Sequence, residues 1–65
     1  MTRILTNGLF RIEFTKAENT NGYVERVIDE ITNERISLKH YNGTIEMNYA
    51  INNYLESGLY KEVNA

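Results

Sequence analysis

His40 is the one side chain in this sequence whose ordinary pKa lies near neutrality, which makes it the natural candidate for acid/base work or pH sensing. It alternates with Ile36 and Leu38, and that alternation predicts a side chain pointing toward the covered face of a strand, or its rim. The chain has no cysteine nucleophile, and Ser37 would point to the opposite face of the same strand, so a packed, structural histidine is the favoured reading. The carboxylates Asp29, Glu30 and Glu34 cluster around a proposed turn. Paired carboxylates can run hydrolytic chemistry or hold a divalent cation, but both tasks need a cleft and further oxygen ligands. Beside an exposed turn, next to Arg35, they read as a solvated charged tip. A lone histidine without cysteine makes no structural zinc site of the usual kind, so no metal, no cofactor and no enzyme activity is expected.

Two constellations point to binding. Arg11, Arg26 and Lys39 could converge on an open sheet face, with Tyr23 or Tyr41 as a stacking platform for nucleic acid. Glu13 and Glu25 are interleaved with these cations, and seven basic against nine acidic residues leave a net charge of -2, which disfavours binding held by phosphate attraction. The second constellation is tyrosine-based. Five tyrosines in 65 residues is a high content, and tyrosine offers a large, stiff, amphipathic contact at low entropic cost. Tyr49 with Ile45, four residues earlier, falls on the polar side of a predicted helix, bordered by Asn52, Asn53 and Glu56. An exposed Ile-Tyr pair with a polar rim has the composition of an interface hot spot. Tyr54 falls on the opposite, core-facing side and reads as structural.

The elements that must position these residues follow from periodicity. Near Tyr41-Asn42-Gly43 the apolar period changes from about two, as in strands, to about 3.6, as in a helix. Three Asn-Gly dipeptides, at 7–8, 21–22 and 42–43, punctuate the chain, since both residue types accept the positive φ of tight turns. Thr2 to Thr6 is expected to pair as an edge strand with Leu9 to Thr15, where Phe10, Ile12 and Phe14 point one way and Arg11 and Glu13 the other. Residues 16–22 are polar and predict a loop.

Tyr23 to Ile31 is ambiguous. Val24, Val27, Ile28 and Ile31 have the spacing of an amphipathic helix, yet four of the nine residues are β-branched. The alternating Arg35 to His40 segment beyond Thr32-Asn33-Glu34 also reads as the far arm of a hairpin. Strand is favoured, with a bulge to absorb the imperfect alternation; the alternative is a helix over 22–33 in a ββαβα order. From Thr44 to Ser57, Met47, Ala50, Ile51 and Tyr54 share one helix face, with Leu55 at its margin. Asn42 or Thr44 could cap the start, and Gly58 could end the helix. Leu59, Tyr60 and Val63 would form a short extended tail.

The sequence thus predicts a single small α+β domain, an antiparallel meander of three or four strands with one C-terminal helix packed on a face. A chain of this length buries only about 60% of its unfolded surface, and one such core supplies about 3 to 5 kcal/mol without disulfide or metal. Self-association as a homodimer, or a partner, is therefore physically favoured. No aliphatic run exceeds two residues, as in Ile4-Leu5 and Val27-Ile28, so no signal-peptide core or membrane span is expected, and the location expected is cytoplasmic. The best functional expectation is a non-catalytic module that binds another protein and occludes one of its surfaces. The Asn-, Ile-, Glu- and Tyr-rich texture, without Gln, Trp or Pro, suits a phage or mobile-element inhibitor. The alternative is a small dimeric nucleic-acid module using the open sheet face.

Overall fold

The computed structural model describes residues 2–18 and 20–63. The chain runs β1 (Thr2–Thr6), β2 (Phe10–Lys16), β3 (Tyr23–Asp29), β4 (Arg35–Tyr41), α1 (Thr44–Glu56) and β5 (Lys61–Val63). All strand neighbours are antiparallel, in the order β4-β3-β2-β1-β5. The helix therefore joins the two outermost strands and has to cross one face of the sheet. It is an α+β fold with five strands where three or four were expected. The extended tail supplies the fifth by pairing with β1, so β1 is internal and not an edge.

The covered face is set by the clean alternation of β2. Ile12 and Phe14 are buried there beside Leu5 of β1, and Met47 and Ile51 of α1 close over them. Burying five such side chains at about 1.5–3 kcal/mol each is the main stabilising term. Tyr23, Val27, Tyr41, Ala50, Tyr54, Leu55 and Tyr60 pack around this centre.

The stretch 22–33 is not helical. Tyr23–Asp29 pairs along its length with β2 and β4, and its helix-like spacing is dispersed: Val27 packs against the core, Val24 and Ile28 lie on the other sheet face, and Ile31 is an exposed turn residue. The bulge exists, but in the β3–β4 pairing, where Val27 meets Ser37 and Ile28 meets Arg35. The extra residue is Ile36 on β4.

The Asn-Gly sites do mark turns and boundaries, for differing reasons. Gly8 has φ 91° and needs the left-handed freedom. Gly43 is extended, with φ −169°, and is itself the N-cap; neither the Asn42 nor the Thr44 side chain caps the helix, and the Glu46 carboxylate instead accepts the Asn42 N–H at 3.1 Å. Gly22 is required by space, since a Cβ there would lie 2.3 Å from the Tyr41 carbonyl oxygen. Gly58, at φ 77°, follows the helix end as expected.

Candidate protein-docking surface

On the outward face of α1, Ile45 is 86% exposed and Tyr49 71% exposed, one turn apart. Asn52, Asn53 and Glu56 are exposed on the same stripe, because Met47 and Ile51 anchor the opposite side of the helix in the core. All five residues of the expected contact surface are thus brought together. Beside them, between α1 and β4, lies an open groove lined by Lys39, Tyr41, Ile45, Tyr49, Ala50 and Asn53. Lys39 Nζ sits 5.2 Å from the centre of the Tyr41 ring, forming one wall.

The nucleic-acid constellation is divided by the sheet. The register places Arg11 and Arg26 on the face away from the helix, but Tyr23, Lys39 and Tyr41 on the face toward it. Strand parity is the reason: directly paired residues share a face and successive residues alternate, so Arg11 with Ile28 and Arg26 with Leu38 fall on one side, and the pairs Tyr23–Tyr41 and Glu25–Lys39 on the other. Arg11 is moreover tied up by Glu13 and Glu30, with contacts of 2.7 and 2.8 Å. Arg26 donates to the Thr15 hydroxyl at 2.6 Å.

His40 is likewise on the uncovered face, paired with Val24, and exposed together with Ile36 and Leu38. The expectation that this trio turns toward the helix is corrected. The apolar alternation of β4 serves the outer face, where Val24 and Ile28 of β3 are buried, while Ser37, Lys39 and Tyr41 face the helix side. The acidic cluster is structural: Asp29 Oδ1 accepts the backbone N–H groups of Ile31 and Thr32 at 2.8 and 3.1 Å, closing the turn, and Glu30 holds Arg11. Among the described residues no group of three or more His, Cys, Asp or Glu could hold a metal ion, and no helix is long and apolar enough to cross a membrane.

The feature that sequence reasoning missed lies at the back of the groove. Glu25 is 5% exposed, on the helix-facing side of β3, and its two carboxylate oxygens accept the Tyr41 and Tyr54 hydroxyls at 2.7 and 3.0 Å. Phe14, Tyr41, Tyr54 and Tyr60 form an aromatic chain around it, with centroid separations of 5.2 to 6.3 Å. Burial, then the hydrogen bond and charge of Glu25, push the Tyr41 hydroxyl well above the usual tyrosine range; the same causes push Tyr54 up to about 12. These hydroxyls are donors that stay protonated, so the cluster fixes β3, β4 and α1 together. The available signal was parity: Glu25 falls in step with Tyr23 and Val27, both core-facing.

No protein family, no curated protein and no solved structure matches this chain.

Proposed function

We propose that this chain is a non-catalytic protein-binding module, which acts by covering a surface of its partner. The observation that carries the reading is the Ile45-Tyr49 pair, exposed side by side on a helix whose other face is held in the core. An aromatic and a β-branched side chain so placed, rimmed by Asn52, Asn53 and Glu56, have the make-up of an energetic anchor with a polar surround. The buried Glu25-Tyr41-Tyr54 network supports it from behind by fixing the helix against the sheet, which keeps the surface rigid and lowers the entropy lost on docking.

The test is affinity capture from a lysate of the source cells, with and without nuclease, by the wild-type chain and by Tyr49→Ala. The reading expects one protein retained in both halves and lost, by about 1 to 2 kcal/mol of affinity or more, with Tyr49→Ala at unchanged melting temperature. Tyr54→Ala serves as the converse control, with stability falling by about 3 kcal/mol. Retention abolished by nuclease would move the assignment to the nucleic-acid module. Tyr49→Ala that unfolds the chain or leaves capture unchanged would refute the surface.

A further inference from the structure

We propose that the free edge of β4 takes up an extended, acidic segment of a partner protein as an added strand beside α1. This rests on the protein-binding reading and narrows it to a mode and a chemistry. β4 is terminal in the strand order, and no described strand pairs with its outer side. The backbone groups that remain free there follow from the ladder. Glu30 N–H donates to the Leu9 carbonyl and Ala17 N–H to the Gly22 carbonyl, so the even-numbered residues of β3 bond toward β2. Its odd-numbered residues bond toward β4, as the Asp29 N–H to Glu34 carbonyl bond at 2.9 Å confirms. Tyr23, Glu25 and Val27 therefore engage Tyr41, Lys39 and Ser37, leaving the N–H and C=O groups of Leu38 and His40 directed outward.

Charge selects the occupant. Between residues 35 and 41 the strand carries Arg35 and Lys39 and no acid, and neither cation is ion-paired among the described residues. The acids nearest the groove are already engaged, Glu25 with two tyrosines and Glu46 with the Asn42 N–H. A second copy of β4 is disfavoured, since antiparallel self-pairing would bring a further Arg35 and Lys39 to this edge and no acid, while Glu25, the cross-strand neighbour of Lys39, is already shared between two tyrosines. A strand alternating acidic and apolar residues fits both sides. Its acids would face Lys39 in the groove, and its apolar side chains would extend the outer-face row of Ile36 and Leu38, which are 56% and 41% exposed. The opposite edge differs: β5 has three residues, and Glu62 there is bound to Arg3. The cations that guard β4 against self-association thus also define the strand it accepts.

The test uses the full chain, isotope-labelled, and a capped peptide of about eight residues alternating Val and Glu. At about 1 mM peptide, amide exchange at Leu38 and His40, fast in the free chain, should slow about tenfold, while core amides that exchange through global unfolding slow by no more than that same factor. A peptide alternating Val and Lys should give no slowing. Lys39→Glu should abolish the response, as should Leu38→Pro, which removes an outward N–H and leaves the ladder to β3 intact. The proposal is overturned by no slowing with the acidic peptide, by equal slowing with the basic peptide or with single-stranded DNA, or by slow exchange at both amides in a free chain that sediments as a dimer. If a cellular partner is lost with Tyr49→Ala but kept by Lys39→Glu, protein binding stands and the edge-strand mode fails.

Discussion

Replacing Glu25 by Ala removes the acceptor that the Tyr41 and Tyr54 hydroxyls share beneath the helix. Hydrogen bonds to a charged group contribute about 1.5–3 kcal/mol each, which sets an upper bound of about 3–6 kcal/mol for the two. Two effects reduce it. The buried carboxylate no longer has to be kept out of water, and the tyrosine hydroxyls, near an open groove, can turn to solvent. A loss of about 2–3 kcal/mol remains, roughly half of what a core of this size provides. Urea unfolding followed by circular dichroism should therefore show the midpoint falling by about half at unchanged slope. Glu25→Gln should cost only about 1 kcal/mol, because its carbonyl can accept from one hydroxyl and its amide can donate to the oxygen of the other. In the Gln variant the Tyr54 hydroxyl should titrate below its value of about 12 while staying above the ordinary 10, since burial, the largest cause of the shift, persists; in the Ala variant, with the hydroxyl free to turn to solvent, it should move closer to 10. An Ala variant as stable as wild type to within about 0.5 kcal/mol would refute the clamp. So would a Gln variant as damaged as the Ala one, which would assign the effect to charge and not to the paired hydrogen bonds.

Other perturbations probe separate parts of the structure. Gly22→Ala places a methyl 2.3 Å from the Tyr41 carbonyl oxygen and should cost about 1–3 kcal/mol, measured by thermal unfolding, whereas Gly43→Ala meets nothing within 4 Å and should cost only what replacing a favoured N-cap residue costs, about 0.5–1 kcal/mol. Arg3 grips Glu62 through two contacts of 2.7 and 2.6 Å, and that hydrogen bond lowers the Glu62 pKa. The folded state thus holds the ionised form more tightly. Its contribution, at most about 1 kcal/mol for so exposed a pair, is present above the ordinary glutamate pKa and is lost as pH falls through the lowered folded value. Arg3→Ala should flatten the stability–pH curve on the acid side. The tyrosine shifts have the opposite sense: stability is complete below pH 10 and should decline as pH rises toward 12, and Tyr54→Phe should reduce that decline in an alkaline unfolding series.

Legibility in this sequence follows how strongly each segment's pattern is tied to one environment. β2 alternates cleanly from Phe10 to Phe14, and α1 repeats every three to four residues, so their buried faces could be read directly, and with them the exposed stripe of Ile45 and Tyr49. β4 shows equally clean alternation, yet its apolar side is the uncovered one. A period of two establishes that a strand has two chemically distinct faces; it does not say which faces the helix, and that choice was made by β3. There Glu25 breaks the apolar pattern at a core-facing position, tolerable only because Tyr41 and Tyr54 arrive from two other elements to bond it. Tyr41 can reach Glu25 only if Lys39 and Tyr41 turn inward, and this forces Leu38 and His40 outward at the free edge. The buried acid and the cationic, apolar-flanked edge are therefore one consequence of the same register. Shifting that register by one residue would turn His40 toward the helix, leave Glu25 with Tyr54 alone as a donor and turn Lys39 away from the groove.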